Sequence, residues 1–121
     1  MPYEIFKRIA EVEFSGIVKD VIGMDYKLRI ILIDESYVDL FLSQKIPDKF
    51  AFHWECRDPK RSIYRFDNIP DKNWRKIKTY PFHFHKGNQD KVVASPFPVD
   101  LIDGFRKFME FIRERLSLQT K

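Results

Sequence analysis

Apolar residues recur at two different periods along the 121-residue chain, and each change of period marks a candidate element. Ile5, Phe6, Ile9 and Ala10 fall at helical spacing between Glu4 and Glu11, and Pro2 stands where a first turn tolerates it, so a short N-terminal helix is expected. Four β-like runs follow at 14–22, 26–33, 37–43 and 50–56, separated by Gly23-Met24-Asp25, Asp34-Glu35-Ser36 and Ile46-Pro47-Asp48. Links this short favour an antiparallel meander. A fifth run at 62–67 comes after Arg57-Asp58-Pro59-Lys60, whose Asp-Pro step forms turns, so 50–67 is expected to be a hairpin. After Asn68-Ile69-Pro70 the periodicity lapses until Pro96 and Pro98, leaving a helical turn around Trp74 and an extended stretch at 80–85. A loop of that length in a small domain is usually functional or mobile. From Val99 onward Leu101, Phe105, Phe108, Ile112 and Leu116 step by three or four, with Asp100 at the start and Arg113 and Arg115 near the end, as the helix dipole favours. The expected fold is α+β: an antiparallel sheet of about five or six strands flanked by an N-terminal and a C-terminal helix, with residues 1–121 forming a single domain.

Alternation assigns faces as well as elements. With the hairpin loop centred on Pro59, Trp54 faces Tyr64 and Phe52 faces Phe66 on one apolar side, while His53 faces Arg65 and Ala51 faces Asp67 on the other. The aromatic side belongs to the core, and the His53/Arg65 side is expected to look outward. In the 80–85 stretch the same rule sets Phe82 and Phe84 on one side and His83 and His85 together on the other, on a shared polar surface.

Composition narrows the class. At 44% hydrophobic the chain can build one packed core. Its longest apolar stretch, 28–33, is broken by Arg29 and followed by Asp34, far short of the roughly 20 residues a membrane span needs. Charged residues among the first thirteen argue against a secretory signal, so a cytoplasmic protein is expected. Cys56 is the only cysteine, which excludes an internal disulfide and any multi-cysteine zinc site. The Phe105/Phe108/Phe111 cluster reads as core rather than a cofactor box, and no cofactor is expected. The net charge of +4 is unevenly spread: residues 1–60 hold 9 Lys/Arg against 11 Asp/Glu, and residues 61–121 hold 13 against 7. Arg61, Arg75, Lys76, Lys78 and Lys86 belong to one basic stretch that would attract phosphates if folded onto one surface, although a solvated loop has the same composition.

All three histidines lie between positions 53 and 85. Imidazole exchanges protons near its unperturbed pKa of about 6.5, and guanidinium binds phosphate through paired hydrogen bonds. His53, Arg65, Asp67, His83 and His85 are therefore candidates for an acid/base centre. For RNA cleavage one imidazole would deprotonate the 2′-hydroxyl, another would protonate the leaving oxygen, and Arg65 would stabilise the phosphate, with no metal required. The same residues also read as a metal site, His83-x-His85 with an oxygen from Asp67 or Glu55. A chemically silent, hydrogen-bonded network is the third reading.

Three segments in this order, Phe52-His53-Trp54, Tyr64-Arg65-Phe66-Asp67-Asn68-Ile69-Pro70 and Tyr80-Pro81-Phe82-His83-Phe84-His85-Lys86, resemble the signature of the TumE family of toxin-antitoxin toxins. The resemblance covers roughly residues 26–115 and includes the Ser95-Pro96 step into the last helix. Phe82 stands where the family usually carries the first histidine of a triplet, and 71–74 lacks the histidine pair that often follows the Asp-Asn turn. The resemblance implies a growth-inhibiting protein neutralised by a small antitoxin. An RNA target is an analogy drawn from the basic stretch and from other small toxins with His/Arg centres. On that reading the protein is a metal-independent ribonuclease in which Arg61, Arg75, Lys76, Lys78 and Lys86 hold the RNA backbone and Trp74 stacks on a base. The alternative is a non-catalytic nucleic-acid-binding or protein-interaction module with a structural His/Arg network, and self-association is left open.

Overall fold

The computed structural model describes residues 3–119. Pro2, assigned above to the start of the first helix, lies outside them. Helix α1 (Tyr3–Glu13) leads into seven strands, β1 (Val18–Gly23), β2 (Leu28–Leu32), β3 (Tyr37–Leu42), β4 (Phe50–Glu55), β5 (Ile63–Asp67), β6 (His83–Gly87) and β7 (Val92–Ala94), and the chain closes with helix α2 (Leu101–Gln119). Every strand pairs antiparallel with its sequence neighbour, so the sheet is a meander in the order β1 to β7. Among the described residues no helix is long and apolar enough to cross a membrane.

The sheet has seven strands rather than the expected five or six. The 80–85 stretch does pair, as β6 displaced to 83–87, but β7 has only three residues and too little alternation to be read. Its hairpin turns on Gly87, at φ 94°, and on Asn88, whose Oδ1 accepts from the backbone N–H groups of Asp90 and Lys91. The first strand also starts later than position 14. Phe14 and Ile17 are buried in the turn that ends α1, where the N–H groups of Ile17 and Val18 both donate to the Phe14 carbonyl. Their spacing of three continues the apolar face of the helix rather than opening a strand.

Leu28, Leu40, Phe52, Phe66, Phe84 and Val93 lie in register across six strands, and all face the helices. Against this row α2 packs Phe105, Phe108, Met109 and Ile112, all fully buried. Rings meet edge-on, as at Phe6 and Phe105 with centroids 5.2 Å apart, and at Phe84 and Phe111 at 5.5 Å. Trp54 is buried too and satisfies its indole N–H on Ser36 Oγ at 3.0 Å. Cys56 packs here as well, and burial pushes its thiol up to about 12, so it stays protonated and unreactive at neutral pH.

The loop from 68 to 82 is ordered by successive turns. Asp71 caps a short 3₁₀ segment, Lys72–Trp74, and the N–H groups of Ile77, Tyr80 and Phe82 each donate to the carbonyl three residues back. The Tyr80–Pro81 bond is cis. At the entry to α2, Asp100 Oδ2 accepts from the Asp103 N–H.

Gly104 is where α2 comes closest to the sheet: a Cβ there would lie 2.8 Å from the Pro98 carbonyl oxygen and 3.1 Å from Phe66 Cε2. Gly104→Ala is expected to lower the unfolding free energy by about 1–3 kcal/mol, overpacking outweighing the gain in helix propensity. Chemical denaturation checks this, and an unchanged or raised midpoint would show that the helix can move away from Phe66 at no cost.

Candidate functional site

The period of two that buries Phe66 and Phe84 turns the alternate residues to the other side of the sheet. Across that open face Arg29, Asp39, His53, Arg65 and His85 lie in register, and Asp67 and His83 pair one step along the neighbouring strands. The 50–67 hairpin has the register expected from a turn at Pro59, with His53 opposite Arg65 and Ala51 opposite Asp67. His83 and His85 share one side of β6, as alternation requires.

Their surroundings differ from the expected exposed surface. Asp67, His83 and His85 are only 2%, 3% and 4% exposed, because they form the floor of a cleft of about 420 Å³ walled by Ile69, Pro70, Asp71 and Trp74 on one side and by Gln89 and Asp90 on the other. Asp67 is the centre. Its Oδ1 accepts from the Ile69 N–H at 3.0 Å and lies 2.9 Å from His83 Nε2, while its Oδ2 accepts from Arg65 Nε at 2.9 Å and lies 3.6 Å from His85 Nε2. Behind each imidazole stands a backbone carbonyl, Pro81 at 2.9 Å from His83 Nδ1 and Gln89 at 2.8 Å from His85 Nδ1. A carbonyl can only accept, so both Nδ1 atoms carry hydrogen and both Nε2 atoms point at the carboxylate.

Burial alone would raise the Asp67 carboxyl, but the hydrogen bond from His83 and the nearness of His85 outweigh it and hold the group well below the usual carboxylate range. His83 moves the opposite way. Burial would lower it, yet the bond to Asp67 prevails and raises it. With an acceptor at each ring nitrogen, His83 is satisfied as the imidazolium.

The candidates read from the sequence separate into two groups. Arg65, Asp67, His83 and His85 meet in the cleft, and Trp74 lines its wall, half-buried. His53 does not join them. It lies one strand from Arg65 and two from His85, so about 10 Å separates its backbone from that of His85. Its Nε2 contacts Glu55 Oε1 at 3.0 Å, and its Nδ1 is buried without a partner among the described residues. Glu55, weighed as an oxygen ligand, is thereby occupied outside the cleft. Arg75, Lys76 and Lys78 are exposed on the loop after Trp74, and Arg61 is exposed in the β4–β5 turn at φ 53°. Lys86 is in register with Tyr64 and so belongs to the helix-covered side, away from the cleft. What the sequence did not reveal is the backbone contribution, the carbonyls of Pro81 and Gln89 and the N–H of Ile69. The Gly87-Asn88 turn was the one legible signal that the chain would fold back and bring Gln89 to His85.

A family model described as Toxin TumE matches residues 4–116. No curated protein and no solved structure matches the chain.

A raised His83 adds stability that is fully present below about pH 6.5, the ordinary histidine value, and that disappears as pH rises through its higher folded value. A lowered Asp67 adds stability present above about pH 3.9 and lost as pH falls through its lower folded value. In protein stripped of metal, NMR titration of the imidazoles is expected to place His83 above about 6.5, and Asp67→Asn to bring it below that value by removing the counter-charge while leaving the burial. The stability gap between the two proteins should narrow as pH rises through the His83 transition. Identical His83 titration curves in both proteins would contradict the pairing.

Proposed function

The chain belongs to the TumE toxin family, and on that premise we propose that it inhibits growth by cleaving RNA in the cleft floored by Arg65, Asp67, His83 and His85. Membership of a toxin family implies a partner antitoxin in general. The observation that carries the RNA reading is the meeting of one guanidinium, one carboxylate and two imidazoles at the base of a cleft whose wall includes Trp74. Arg65 uses Nε for Asp67, and its Nη groups meet no acceptor among the described residues, which leaves them for the oxygens of a phosphate. Trp74 offers a ring on which an unpaired base can stack, and Arg75, Lys76 and Lys78 follow it on the same exposed loop. His85 is the imidazole with the looser Nε2 and is assigned removal of the 2′-hydroxyl proton as the 2′-oxygen bonds to phosphorus, while the departing 5′-oxygen takes its proton from water in the open cleft. His83 has both nitrogens tied to oxygen, so its role is to hold Asp67 in place. A division of labour with two free imidazoles, the simplest metal-free scheme, is therefore not the one this arrangement favours.

The burial of both imidazoles and the saturation of His83 favour one competing reading, a structural network in a binding module. The two diverge under substitution. Single-stranded RNA incubated with purified protein is expected to be cut, with Arg65→Ala and His85→Ala each slowing cutting by at least about 10²-fold while circular dichroism shows the native fold at the assay temperature, even though loss of a partner to Asp67 lowers the unfolding midpoint. Growth arrest on induction should weaken in both variants. Intact RNA at micromolar folded protein, or variants that lose fold and toxicity together, would favour the binding module.

A further inference from the structure

The chemistry of the three most buried polar side chains in the cleft reaches further than proton transfer. In both His83 and His85 the Nδ1–H is held by a backbone carbonyl, which leaves Nε2 as the nitrogen that can turn a lone pair inward, at His83 once its proton to Asp67 is displaced. Metal-ligating histidines are oriented in this way, with the distal ring N–H held by a carbonyl or carboxylate. One ring nitrogen of each histidine and a carboxylate oxygen of Asp67 all lie within 4.8 Å of one another, and it is the Nε2 atoms that approach the carboxylate. Ligands bound at 2.0–2.1 Å stand about 2.8–3.4 Å apart around an octahedral or tetrahedral ion. Of the Nε2–Oδ separations here, 2.9 Å from His83 to Oδ1 falls inside that interval and 3.6 Å from His85 to Oδ2 lies just above it, one carboxylate oxygen facing each ring. The carboxylate is itself oriented by Arg65 Nε–H and the Ile69 N–H, an outer layer that keeps its lone pairs aimed at the imidazoles.

The His85 Nε2 lies in the cleft lining at 3.6 Å from Asp67 Oδ2, too long for a hydrogen bond. An ion among the three would use both Nε2 atoms at once, taking the place of the proton between His83 and Asp67. We propose that Asp67, His83 and His85 bind one divalent transition-metal ion through the Asp67 carboxylate and the two Nε2 atoms. Two imidazoles and one carboxylate suit Zn²⁺, Mn²⁺, Fe²⁺ or Co²⁺ better than Mg²⁺ or Ca²⁺, which prefer all-oxygen sites. Three protein ligands leave coordination positions open towards the cleft, the pattern of reactive rather than structural sites. An ion there would supply a Lewis acid for a phosphate oxygen held by Arg65, and in the loaded protein the 2′-hydroxyl proton would pass to solvent in the cleft, since the ion occupies His85 Nε2. This inference concerns the same residues as the RNA reading and rests on that reading only for this last consequence; the binding itself does not depend on it.

The test titrates metal alone. Protein stripped with chelator and dialysed is titrated calorimetrically with Zn²⁺ and, separately, with Mn²⁺. One ion per chain is expected, with His83→Gln, His85→Gln and Asp67→Asn each weakening affinity at least about 10-fold. Should a variant fail to fold, the wild-type chain with Co²⁺ supplies the second measurement: visible absorption of a nitrogen-ligated ion and a shift of both imidazole Nε2 resonances on loading with diamagnetic Zn²⁺. No binding at hundreds of micromolar metal, or binding that ignores the histidine substitutions and leaves both Nε2 resonances in place, overturns the proposal. Stoichiometric binding with intact RNA upholds the metal site and removes the nuclease reading. RNA cleavage by stripped protein that takes up no metal does the reverse.

Discussion

A carboxylate taken almost wholly out of water organises the open face of this sheet. Moving such an ion from solvent into a protein costs several kcal/mol unless charged and hydrogen-bonded partners surround it. At Asp67 those partners come from three places: Arg65 two residues back on the same strand, His83 and His85 on the next strand, and the Ile69 backbone in the loop that follows. Strand β5 cannot slip against β6, nor can the loop after it lift away, without stranding a buried charge. The position of the cleft wall and the aim of both imidazoles thus follow from one residue's need for compensation.

The aromatic side of the sheet provides the rigidity that such an arrangement needs. Phe52 and Phe84 meet rings of α2 edge-on, Phe52 also touches Phe6 of α1, and Phe66 packs edge-on against Phe50 and Phe52; each of the three belongs to the same strand as a residue of the polar face. Packing that fixes Phe66 also fixes the direction of Arg65 and Asp67, its immediate neighbours. Side chains held on strands in this way are positioned more closely than side chains on loops. The loop residues, Trp74 and the cations after it, form the adaptable wall.

Much of this was legible before any coordinates. Strict alternation in 50–67 and 80–85, together with a turn at Pro59, fixed which residues share a face, because a one-residue slip would have put Phe52 and Phe66 in solvent. The same rule paired His83 with His85. It could not say how far His53 lies from them, since that depends on β6 adding beside β5 and on Arg65 turning towards Asp67. Nor could it show the burial of the histidines, which the 68–74 loop and the 87–91 turn impose from above. Strand β7 escaped notice for a physical reason: Val92–Ala94 draws its pairing from the β6 edge and from the Asn88 turn rather than from any pattern of its own.

Because each strand lies beside its neighbour in sequence, nearly every pairing closes a short loop, and the entropy lost at each step is small. Topologies of this kind fold faster than sheets that must join distant segments. The exception is the clasp between the two helices, where Glu13 accepts from Arg106 across almost the whole chain. A growing polypeptide can therefore zip its strands in the order they are made. The aromatic layer stays open to water until the last helix arrives, so the interval before that docking is when the nascent toxin presents its greatest sticky surface.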